Sequence, residues 1–95
     1  MKKAFDANFY IEALTGDLKA IAHPNPDISR EVRQTAFESA KENLQTLVEN
    51  GASEFYKGLY DSIASDEKDS REFNFAILKD LGRKIRNREM SLPKA

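Results

Sequence analysis

An all-α fold, a small bundle of about four helices with antiparallel neighbours, is predicted by three observations. Apolar residues recur at the helical period of 3.6 along nearly all of the 95-residue chain, and no stretch sustains the alternation of a strand. Three breaks punctuate the pattern: His23-Pro24-Asn25-Pro26, Asn50-Gly51, and the polar run from Ser65 to Ser70. The connections are short, and short connections favour antiparallel neighbours. The helices fall at approximately 3–22, 26–49, 53–65 and 70–88. They make one domain over residues 1–90, with 91–95 expected to fray.

The first helix carries Phe5, Phe9, Tyr10, Ile11, Leu14, Leu18 and Ile21. At 100° per residue these cover well over half the circumference, more than a surface helix needs. Either this helix is central, or it breaks at Gly16, which costs about 1 kcal/mol against Ala inside a helix. Two prolines at alternate positions then force a loop. Asn25 is the expected N-cap of the second helix, with Pro26 at its first position and Asp27 near the positive dipole end. The second helix turns Ile28, Val32, Ala36, Ala40, Leu44, Leu47 and Val48 inward, with Phe37 at the margin, and Asn50-Gly51 stops it. The third follows from Ser53, with Phe55, Tyr56, Leu59, Tyr60, Ile63 and Ala64 on one half. The fourth has Phe73, Ile77, Leu78, Leu81 and Ile85 as its core stripe.

Composition excludes several function classes. Apolar residues make up 40% and charged residues 33%, so the core is thin and a homodimer that adds buried area is expected. The absence of cysteine excludes disulfides, thiolate metal ligands and cysteine nucleophiles, and fits a cytoplasmic protein. Asp6 and Glu12 interrupt any signal core after Met1-Lys2-Lys3, and no apolar run reaches the roughly 20 residues of a membrane span. The glycines are isolated at 16, 51, 58 and 82, and His23 is the only histidine. Neither a phosphate loop nor a catalytic triad is available, so no enzyme activity and no cofactor is expected.

Charge is unevenly spread. Residues 79–95 carry six bases against Asp80 and Glu89, whereas the whole chain has a net charge of −1. Lys79, Arg83 and Arg86 are spaced four and three apart and share a helix face. Arg88 is displaced from them, and Phe75 lies on their side. These five residues are the candidate partner-binding set. Cations near a helix C-terminus are also favoured by the dipole alone, by about 0.3–1 kcal/mol each. Glu31, Glu38, Glu42 and Glu49 form an acidic ridge on the second helix and a second candidate docking surface. A carboxylate metal cage in a bundle also draws histidine from facing helices, and His23 sits in the proline loop, so no metal is expected. Asp6 and Asp17 fall inside the broad apolar arc of the first helix. There each calls for a cation or a helix N-terminus as partner, with Arg30, Arg33 and Arg71 as candidate cations.

The reading that follows is a small cytosolic regulator or inhibitor that binds a protein and masks its surface, as antitoxins, immunity proteins and anti-defence proteins do. Aromatic anchors and charge complementarity would set its orientation. The first alternative is a dimeric nucleic-acid-binding regulator using Lys79, Arg83, Arg86 and Arg88. The second is a structural subunit of a larger assembly.

Overall fold

The computed structural model describes residues 5–63 and 70–94. Four helices are present: α1 (Ala7–Ile21), α2 (Arg30–Glu49), α3 (Glu54–Ile63) and α4 (Ser70–Arg86). Ala64, the acidic link from Ser65 to Asp69, the side chains of Arg71 and Phe73, and Ala95 lie outside the described residues.

Asp6 starts α1: its Oδ1 accepts from the Phe9 amide at 3.3 Å, filling one of the orphan donors of the first turn. The helix then runs through Gly16 without a break. Leu14, Leu18 and Ile21 are fully buried on either side of that glycine, and such packing outweighs its poor propensity. Of the two alternatives for its wide apolar arc, the structure takes the first. α1 is the central helix, packed on both α2 and α4.

The start of α2 departs from expectation. Asn25 does not cap it. Its Oδ1 instead accepts from the Asp27 amide at 2.9 Å, closing a local turn that the Ile28 amide extends to the Asn25 carbonyl. Ser29 is the cap, its hydroxyl oxygen accepting from the Val32 amide at 3.2 Å, so helical geometry begins at Arg30. The inward face of α2 differs from expectation as well. Phe37 is buried and Val32 is 51% exposed, the reverse of the predicted order.

α2 and α4 end in the same way. After α2, the Ala52 amide reaches the Leu47 carbonyl and the Gly51 amide reaches Val48, with Gly51 at φ 80°. After α4, Glu89 reaches Lys84 and Arg88 reaches Ile85, with Arg88 at φ 60°. Both are Schellman stops with a left-handed residue just past the helix. The second one ends α4 two residues before the predicted boundary.

The described part of the tail is held to the bundle. Met90 and Leu92 pack against the core, and the Tyr56 hydroxyl of α3 donates to the Pro93 carbonyl. Tyr56 is fully buried, and burial pushes its phenol pKa up, so it remains a donor. Residues 88–94 therefore form a strap tied to α3.

α1 and α2 run antiparallel, since Asp17 meets Ser39 and Asn43 while Ile21 meets Arg33. Leu44, Leu47, Ile63 and Leu78 complete the buried centre with the α1 leucines. α4 crosses α1 at Gly82, where an added Cβ would stand 2.1 Å from the Leu18 carbonyl oxygen. Only a residue without a side chain permits that approach. Among the described residues no helix is long and apolar enough to cross a membrane.

Candidate functional site

The basic residues of α4 are dispersed by their own contacts. Arg83 pairs with Asp80, and Lys84 reaches the same carboxylate at 3.2 Å. The hydrogen bond from Lys84, with the charges of Lys84 and Arg83, holds the Asp80 carboxyl below its usual pKa. Arg86 points to α1, where its Nε donates to the Lys19 carbonyl at 2.8 Å. Lys79 is exposed and forms no ion pair among the described residues. Arg88 is exposed beyond the helix end. Phe75 turns into the bundle, its ring 5.9 Å from that of Phe37, rather than standing beside the cations in solvent.

One cause accounts for Phe75 and Arg86 together. On the helical wheel, at 100° per residue, Phe75 lies about 20° and Arg86 about 40° from Gly82. The α1 crossing is centred on that glycine, so α4 is buried on two sides. A glycine contributes nothing to an apolar stripe, which is why the pattern concealed this second face.

The acidic ridge is solvated. Glu31, Glu38, Glu42 and Glu49 are all exposed. Gln34 donates to Glu38 and Gln45 donates to Glu49, each at 3.0 Å and each one helical turn away. Among the described residues none of the four glutamates forms an ion pair. Glu31 lies in the first turn of α2, where the dipole favours it.

Among the described residues neither Asp6 nor Asp17 forms an ion pair. Asp6 is the cap. Asp17 is half-buried, and its Oδ2 accepts from Ser39 Oγ at 2.8 Å and Asn43 Nδ2 at 2.9 Å. Burial raises its pKa above the ordinary aspartate value, and the two hydrogen bonds partly offset that. Arg33 instead bridges two carbonyls, Ile21 and Asn25, both at 2.9 Å. It satisfies the end of α1 and fixes the following loop. His23 stays in that loop, its Nδ1 accepting from the Asn25 amide at 3.0 Å. Among the described residues no three acids or histidines converge to hold a metal ion.

Among the described residues the large apolar side chains left in solvent are Phe5, Phe9, Val32 and Phe55. Phe9 is 62% exposed and Phe5 38% exposed, at the N-terminal end of α1. Tyr10 joins them, stacked on Phe5 at 5.3 Å and edge-on to Phe9 at 5.3 Å. Tyr10 thus lies between the two phenylalanines and also packs on the core. The sequence placed all three in the wide apolar arc of the first helix; they stand at its N-terminal end, ahead of the buried run that begins at Leu14.

Comparison with protein-family models, with curated proteins and with solved structures found no match to this chain.

Proposed function

We propose that this chain is a protein-binding module that regulates or inhibits a larger macromolecule by covering part of its surface. The observation that carries this reading is the ring trio of Phe5, Phe9 and Tyr10, with Phe9 mostly in solvent. Burying a phenylalanine on a partner is worth about 1.5–3 kcal/mol, and interface energy concentrates in such anchors. Holding the rings against one another before binding lowers the ordering cost of association. Lys79 and the glutamate ridge supply opposite charges for orientation. The nucleic-acid alternative is weakened, because Arg83 and Arg86 already have acceptors within the chain.

The test compares wild type, Phe9→Ala and Lys79→Glu/Arg83→Glu in cross-linked co-purification from the native source, with melting curves for each. Phe9→Ala should fold normally and lose at least about tenfold in partner recovery, the loss expected of one hot-spot ring. Equal recovery by Phe9→Ala and wild type would remove the trio from the binding surface. A mobility shift with DNA or RNA at low salt, abolished by Lys79→Glu/Arg83→Glu, would favour the nucleic-acid reading instead.

A further inference from the structure

We infer that the groove between the C-terminal strap and α1 binds a small organic anion with an apolar body, of the class of medium-chain alkyl carboxylates. The groove has a volume of about 480 Å³ and is lined by Thr15 and Lys19 of α1, Ile85 of α4, and Arg88, Met90, Ser91 and Leu92 of the strap. That volume is within the usual range for small-molecule sites, about 300–1,000 Å³.

The lining divides by chemistry. Ile85, Met90 and Leu92 give an apolar wall, and methionine adapts to irregular shapes. Lys19 and Arg88 give two positive charges, and neither forms an ion pair among the described residues. No carboxylate lines the groove. The Ser91 hydroxyl has no acceptor among the described residues, so it is available to donate. Thr15 already donates to the Ile11 carbonyl at 2.8 Å, and its oxygen remains an acceptor. Two free cations and a free hydroxyl beside an apolar wall suit a ligand with a carboxylate at one end and a hydrocarbon chain at the other.

Arg88 supplies an independent argument. It occupies the left-handed position of a helix stop, at φ 60°. Glycine is favoured there because any side chain costs energy. The chain makes the same stop at Gly51 with glycine. At the second stop, beside the groove, it carries an arginine. An arginine there supplies a charge that glycine would lack. This site is remote in sequence from the aromatic trio and does not depend on the docking reading.

The test titrates decanoate, decanol and acetate into the full chain, followed by amide NMR shifts and calorimetry. Decanoate should shift the amides of residues 15–19 and 85–92. Decanol, lacking the charge, and acetate, lacking the chain, should each bind at least about tenfold more weakly. Arg88→Gly relieves the backbone, so its melting temperature should equal or exceed that of wild type while decanoate binds about tenfold more weakly. Lys19→Gln should weaken binding in the same direction. Decanol binding as tightly as decanoate would overturn the proposal. So would shifts centred on Phe5, Phe9 and Tyr10, or wild-type affinity in both variants.

Discussion

Gly82→Ala tests the central packing claim, with Gly16→Ala as its internal control. At Gly82 a Cβ would lie 2.1 Å from the Leu18 carbonyl oxygen, 2.7 Å from its carbon and 2.9 Å from the Ala22 Cβ. The first two are backbone atoms, and that oxygen also accepts the Ala22 amide at 3.1 Å, so it cannot swing aside. Relief requires the two helices to separate by about 1 Å, which loosens a close-packed interior. Leu14, Leu18, Leu78 and Ile85, all buried, sit at or beside that contact. Overpacking typically costs about 1–3 kcal/mol, and a clash with unyielding backbone atoms belongs in the upper part of that range, about 2–3 kcal/mol, while alanine regains about 1 kcal/mol of helix propensity. The net expectation is a loss of about 1–2 kcal/mol. At Gly16 nothing lies within 4 Å, and the same substitution should stabilise by about 0.5–1 kcal/mol. For a chain of this size 1 kcal/mol moves the melting temperature by about 4–8 °C. The two variants should therefore melt at least about 6 °C apart, on opposite sides of wild type. Far-UV circular dichroism with heat and with urea measures both. A Gly82→Ala protein melting at or above wild type would refute the crossing.

Three further outcomes are expected. Arg33→Ala removes charged hydrogen bonds to two carbonyls and should cost about 1.5–3 kcal/mol in urea denaturation; a loss under about 0.5 kcal/mol would show that water replaces them freely. Tyr56→Phe deletes the tie to Pro93 and should cost about 0.5–1.5 kcal/mol, with faster tryptic cleavage after Arg88 as the strap loosens; an unchanged cleavage rate would contradict the tie. Asp17 has a raised pKa in the folded state, so the native protein binds a proton more tightly than the unfolded chain. Its contribution therefore falls as pH rises from the ordinary value of 3.8 through the higher folded value. Asp17→Asn should flatten that part of the stability profile and should cost less at pH 7 than Asp17→Ala, which leaves Ser39 and Asn43 without their acceptor.

Much of the fold was legible because its signals were periodic or covalent. The leucine and isoleucine spacings located all four helices, and Pro24-Pro26 and Gly51 marked two of the breaks. Boundaries were harder where two side chains compete for one role. Asn25 and Ser29 are both good caps, and only the local turn that Asn25 makes with Asp27 decides between them. The candidate site was less legible. Spacing put Lys79, Arg83 and Arg86 on one face of the helical wheel, but it could not show that Arg86 is drawn to a carbonyl 67 positions away. Nor could it show that Met90 and Leu92, after the helix stop at Arg88, return to the core.

The contact between Arg86 and Lys19 also bears on the order in which the chain assembles. Arg33 reaches Ile21 across 12 positions and Ser39 reaches Asp17 across 22, whereas Arg86 reaches Lys19 across 67. Closing the longest of these loops costs about 1 kcal/mol more entropy than closing the 22-residue one. The α1–α2 hairpin is thus the expected nucleus, with α4 arriving after the transition state. Changes at the α4 crossing would then leave the refolding rate nearly constant and act on unfolding. The lifetime of the native molecule, rather than the speed of its formation, is set where two helices meet at a single glycine.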